Sequence, residues 1–199
     1  GRQLSTLSEM AHQLFTEDST GNLMQELASK DGLDDKQQKN VQRSLEDHQK
    51  SKKLSSGFVR TMSEAVNKSF HAWIQARKDN AFAGFEQPLD ALIQLKKQEA
   101  DLLGYEQHPY NALMNDYDKG LTVAIVDKVF ADLQPQLSTL LDNIKNKTQV
   151  DNSFLHQHFD KDSQWKFGME ILTQMHFDFE AGRQDISEHP FTINFNNND

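Results

Sequence analysis

Eight histidines and no cysteine set the terms for any metal chemistry in this chain. A protein-held zinc needs about three or four converging ligands, and without thiolates they must be imidazoles and carboxylates. His156 and His158 are two residues apart on a predicted helix, roughly 200° around its axis, so one ion cannot take both. His176 and His189 fall in loop or strand-lead positions with no carboxylate at a ligand spacing. The sequence contains no HExxH, which would put two imidazoles on one helical face with a glutamate poised as base. It also has no GxxxxGK[ST] or GxGxxG cradle for phosphates and no GxSxG nucleophile turn. No catalytic residue and no metal ligand is therefore assigned within the chain.

Other residues that could do chemistry have plainer readings. Phe177, Asp178, Phe179 and Trp73 could stack a ligand, but aromatics at such spacings belong to a core. Glu106, Asp116 and Asp118 flank the segment HPYNALMNDYDKG and read as solvated turn carboxylates. The stretch SEHPF, ending at Phe191, is more informative. A residue before proline is pushed extended, so Glu188-His189-Pro190 leads straight into a strand, with the imidazole at its entry. His189 is accordingly either a structural histidine tying down the strand end or support for a site supplied by another part of the protein.

The elements that would position these residues are mostly helices. Leu4, Leu7, Ala11, Leu14 and Phe15 recur at helical spacing up to Glu17, and a short helix follows from Asn22 to Ser29. Residues 34–53 carry only Val41 and Leu45 as strong apolar anchors, with both charge signs interleaved, as on an exposed helix. Ser55 or Ser56 can cap the next helix, whose stripe of Phe58, Val59, Met62, Ala65, Val66, Phe70, Trp73 and Ile74 predicts a core-facing element with Phe70, Trp73 and Ile74 buried. Pro88 suits the first turn of another, which Gly104 stops. Helices follow at Tyr110–Asp116 and Thr122–Leu133, then, after an interruption at Pro135, at Leu137–Lys145, Ser153–Phe159 and Asp162–Met175. Phe177 and Phe179, then Phe191, Ile193 and Phe195, alternate with polar residues as in a strand, and the stretch near Phe191–Phe195 is expected to be an open edge. The fold class is all-α with one short β-strand near the end. Its 199 residues are read as a single helical domain: peripheral helices over 1–54, core helices over 55–147, and helices leading to the strand over 151–199.

Composition agrees. Nine glycines and four prolines in 199 residues leave few turns, hence long helices and few hairpins. The net charge of −9 argues against nucleic acid as a partner. No apolar run is long enough to span a membrane, and the first residues lack a secretory apolar core. Without an initiator methionine, the numbering is expected to start inside a longer chain.

Three stretches carry a resemblance. Residues 65–120, with AVNKSFHAWIQARKDNAFAGF and LDALIQLKKQEADLLGYEQHPYNALMNDYDKG, resemble the N-terminal half of the carboxypeptidase Taq family of metallocarboxypeptidases. So do VDKVFADLQPQLSTLLDNI (126–144) and MHFDFEAGRQDISEHPFTINFNNND (175–199). His189-Pro190-Phe191 coincides with the family's HPF motif, and Asp199 falls where its DxRxT motif begins, so the resemblance implies that His189, Pro190, Phe191 and Asp199 line the substrate groove or support the site from behind. The resemblance implies the N-terminal region of a zincin-like helical peptidase, halting before the HExxH helix that binds the metal. It implies a divalent metal, zinc or cobalt, in the full-length enzyme and none in these residues, with peptide as substrate, a homodimeric state and a cytoplasmic location. A non-catalytic helical scaffold or interaction module is the alternative.

Overall fold

The computed structural model describes residues 2–189, which form eight α-helices and one 3-10 turn. The all-α expectation stands. The expected strand at Phe191–Phe195 lies outside the described residues. The chain divides into two compact units, Gly1–Gln134 and Pro135–Asp199.

The first unit begins with α1 (Arg2–Thr16), α2 (Asp18–Ala28) and α3 (Asp35–Ser51). Asp34 opens α3 with a reciprocal cap: its carboxylate accepts from the Gln37 amide at 2.8 Å, and the Asp34 amide donates to the Gln37 side chain at 3.0 Å. Helix α4 (Ser56–Asp79) is capped by Ser55, which accepts from the Phe58 amide at 3.1 Å. It ends at Asn80 in the left-handed region, where the Ala81 amide donates to the Ala76 carbonyl at 2.9 Å. Helix α5 (Ala83–Leu103) runs back along α4 and stops at Gly104, φ 77°. The unit continues through the short α6 (Tyr110–Met114) into the first part of α7 (Val123–Lys145).

Helix α4 is the centre of this unit, with α1 on one flank and α5 on the other. Small residues line both seams. Ser8 and Ser63 hydroxyls meet at 3.5 Å, and the buried Ser69 hydroxyl donates to the Pro88 carbonyl at 3.1 Å. Ser5, Ala100 and Ala112 are buried as well. Short side chains let helix backbones approach closely, and each buried hydroxyl that does so needs a partner.

Four expectations are corrected. Phe70 is 45% exposed, and Trp73 and Ile74 are only half-buried. The apolar arc of α4 is wide, and α1 and α5 bury only Phe58 and Ser69 of it fully. Pro88 is not in the first turn, because α5 begins at Ala83: the Phe82 carbonyl accepts from Phe85 (2.8 Å) and Glu86 (3.1 Å), starting the helix directly after the α4 cap. Pro135 does not interrupt α7, which runs unbroken from Val123 to Lys145. A proline inside a helix removes one amide donor, and the remaining bonds carry the helix past it. Helix α2 starts at Asp18 rather than Asn22, taking in Gly21.

In the second unit the rest of α7 is followed by a 3-10 turn at Ser153–His156, in place of the longer helix expected to Phe159. The Asp151 carboxylate accepts from the Ser153 amide at 2.9 Å and sets that turn. Helix α8 (Lys161–Gln174) is capped by Asp160, which accepts from Ser163 at 2.9 Å. Phe177 lies in irregular chain and Phe179 in a turn, not in a strand, their rings edge to face at 5.1 Å. The reason is the helix end before them. His176 takes the left-handed position, φ 59°, and the Phe177 amide donates back to Leu172 at 2.9 Å.

Candidate functional site

Each histidine has a definite place. His48, 4% exposed on α3, packs edge to face against Phe15 at 5.9 Å, with Nε2 3.3 Å from the Glu17 carbonyl. A Cβ on Gly21 would fall 2.6 Å from its ring, so only glycine fits there without displacement. His12 bridges the Ser51 carbonyl (3.0 Å) and the Ser56 hydroxyl (3.3 Å), tying α1 to the α3–α4 junction. His176 serves the α8 cap, and His156 and His158 are exposed on the 3-10 turn and the extended residues after it. His189 is exposed, and its carbonyl accepts from the Ser187 hydroxyl at 2.9 Å. Pro190, Phe191 and Asp199 lie outside the described residues. Among the described residues no three histidine, aspartate or glutamate side chains come together as a metal would require.

Of the three flanking acidic residues, Asp116 anchors through its carboxylate, and Glu106 and Asp118 act through their main-chain carbonyls. Asp116 pairs with Lys50, and Glu46 with Lys119, so α3 holds the segment after α6 at two points one helical turn apart. Lys119, donating to Glu46, keeps that carboxyl below its ordinary range. Elsewhere in the unit, the Lys52 ammonium, 2.6 Å from Asp18, does the same there. The Glu106 carbonyl accepts from Asn111 Nδ2 at 2.9 Å, while Asn111 Oδ1 accepts from the Val123 amide at 2.8 Å. Asp118 offers its carbonyl to the Leu121 amide at 3.1 Å.

A hollow of about 320 Å³ lies between the second half of α5 and residues 108–113. Leu92, Ile93, Ala100 and Leu113 line it together with Lys96, Lys97, His108 and Tyr110, and its exposed surface is almost wholly apolar. Gln107 just before it is left-handed, φ 64°, closing a tight turn in which the His108 amide donates to the Glu106 carbonyl at 2.7 Å. His108 Nδ1 then accepts from the Tyr110 amide at 3.1 Å, which leaves the ring proton on Nε2. Sequence reasoning passed over this hollow. Its signal was Ile93, Lys96, Lys97 and Ala100, which share one helical face three and four residues apart.

A family model described as carboxypeptidase Taq (M32) metallopeptidase matches residues 1–199. The thermostable carboxypeptidase 1 of Pyrococcus furiosus is 30% identical over 192 residues, 95% of this chain and 38% of that protein. The solved structure of CHT is 50% identical with a TM-score of 0.76, covering 98% of this chain and 40% of that one. The BsuCP crystal structure superposes with a TM-score of 0.89 at 27% identity, over 96% of this chain and 39% of that one. The chain spans 34% to 40% of the length of the curated relatives it matches.

Proposed function

Because this chain belongs to the carboxypeptidase Taq (M32) family, we propose that it is the N-terminal part of a metal-dependent carboxypeptidase that removes C-terminal residues from peptides. The observation that carries this reading is the family match over residues 1–199, and the superposition on BsuCP supports it. Hydrolysis in such an enzyme uses a metal-activated water. Among the described residues no group of three histidine, aspartate or glutamate side chains assembles to hold one. Their part is a braced helical wall: α3 and the segment after α6 locked by two ion pairs, and α4 and α5 locked at a small-residue seam.

The two units would belong to one helical domain of the complete protein. His189, Pro190, Phe191 and Asp199 would line or support its substrate groove, with zinc or cobalt held by residues supplied from elsewhere in it. Homodimer assembly and a cytoplasmic location belong to the same reading; among the described residues no helix is long and apolar enough to cross a membrane. The test is expression of the complete parent reading frame. It should release the last amino acid from an N-blocked peptide, and a chelator should stop it. A parent protein that contains no HExxH, or that turns over equally well after the metal is stripped, would refute the proposal.

A further inference from the structure

We propose that the leucine face of α1 is a docking seam for an apolar-faced helix supplied by the part of the parent polypeptide outside these 199 residues. The choice of occupant rests on the reading above that the chain is one part of a longer protein; the seam itself rests on how α1 is covered.

Helix α1 presents the wrong side to its own unit. Ser5, Ser8, His12 and Phe15 share one arc about 80° wide around the helix axis. These are the covered residues: Ser5 is buried, Ser8 meets Ser63, His12 bridges Ser51 and Ser56, and Phe15 packs on His48. Leu4, Leu7, Ala11 and Leu14 follow the three- and four-residue steps of a helix–helix seam, centred roughly 100° further round. On that side Leu4, Leu7, Met10 and Leu14 are 52% to 62% exposed. The unit therefore packs the short and polar side of α1 and leaves its apolar stripe in water. An amphipathic surface helix normally does the reverse.

Size and charge decide between occupants. Four half-exposed side chains offer on the order of 400 Å², about half of what each partner of a stable complex buries, so the stripe is too small to hold two free chains together. A membrane surface fits poorly, because an interfacial helix carries lysines and arginines on its polar face and α1 has only Arg2. A segment of the same polypeptide avoids the cost of bringing two molecules together, so a seam of three turns suffices for it. The relatives have the length to supply one: this chain spans 34% to 40% of them, and more than half of each lies outside it. The stripe calls for leucine, isoleucine, valine or phenylalanine repeating at three and four residues, packed at the shallow crossing of about 20° that such seams adopt.

The experiment places one thiol on the seam. These 199 residues contain no cysteine, so Leu7→Cys and, on the polar side of α1, Gln13→Cys each report from a single site. Labelling by N-ethylmaleimide is followed over time, and the modified peptide is quantified by mass spectrometry. In the 199-residue chain the two sites should react at similar rates, since both are exposed. In the complete parent Leu7→Cys should react at least about tenfold more slowly than Gln13→Cys, and just as slowly after a roughly hundredfold dilution. Leu7→Asp combined with Leu14→Asp should lower the unfolding midpoint of the parent and leave that of the 199-residue chain in place, because there both leucines already face water. Equal reactivity of the two sites in the parent, or protection already present in the 199-residue chain, would overturn the inference. So would protection lost on dilution, which would point to a second copy, or protection that needs anionic lipid vesicles, which would point to a membrane. Peptidase activity measured on the same parent preparation judges the other reading separately. Protection without activity removes the proposed function alone, and activity without protection removes this inference alone.

Discussion

Helices α4 and α7 have nearly the same length, 24 and 23 residues, and each carries an apolar stripe. Their fates differ. Helix α4 buries Phe58 and Ser69 where α1 and α5 flank it. Helix α7 buries no residue, leaving Phe130 59% exposed and Leu140 54% exposed. Periodicity tells which face of a helix is apolar; only a neighbouring element decides whether that face is covered. Within α4 the same lesson repeats, since Phe58 and Ser69 are buried while Val66 and Phe70 of the same helix stand exposed.

The sharpest way to break this comparison is one substitution made twice. Phe58→Ala should cost roughly 3–4 kcal/mol, because a buried ring leaves a cavity. Phe130→Ala on α7 should cost less than about 1 kcal/mol, because most of that ring is already in water. Urea unfolding followed by tryptophan fluorescence measures both, and equal costs would mean that α7 is as covered as α4. Trp73→Ala should fall between them, near 2 kcal/mol, as a half-buried ring beside Phe70 at 5.8 Å.

Gly21→Ala tests the other kind of seam. Helix propensity alone would make it stabilising by about 1 kcal/mol. The added Cβ would meet His48, which Phe15 and the Glu17 carbonyl hold in place, so the net effect should be a loss of about 1–2 kcal/mol. A gain in unfolding midpoint would show that His48 moves aside freely. Removing the α3 cap with Asp34→Ala should cost about 1 kcal/mol. Gln38→Ala, on the exposed face of the same helix, should cost under about 0.5 kcal/mol.

How far the sequence could be read follows from the same physics. Local chemistry was legible: Ser55 as a cap, Gly104 as a stop, and the thin apolar stripe of α3 all depend on nearby residues. Burial was not, because Phe70 and Phe58 share one stripe and differ only in what lies opposite. Prolines misled in both directions, since Pro88 and Pro135 sit inside helices whose other bonds outweigh one missing donor. The expected strand character of Phe177 and Phe179 failed because alternation over so few residues cannot compete with a left-handed helix end at His176. Of the candidate site, only His189 falls among the described residues, and the hollow was missed because its lining comes from two segments that only folding brings together.

Acid should act on both units at once. Lys52 holds the Asp18 carboxyl below its ordinary range, Lys119 does so for Glu46, and hydrogen bonds from Ser163 do so for Asp160. A carboxyl depressed in the folded state takes up its proton first in the unfolded chain. The stability it contributes is therefore complete above the ordinary carboxylate range and is lost as pH falls through and below it. Urea midpoints should decline over that window, and high salt should flatten the part due to Asp18 and Glu46 more than the part due to Asp160. A midpoint that rises on acidification would contradict the assignment.

The central claim is that these residues build a wall and do not hold the reacting metal. It is tested most directly by elemental analysis of the 199-residue chain after dialysis against zinc or cobalt, together with an assay for amino-acid release from an N-blocked dipeptide. The account predicts far less than one metal ion per chain and no release. One tightly held ion per chain with chelator-sensitive turnover would contradict it.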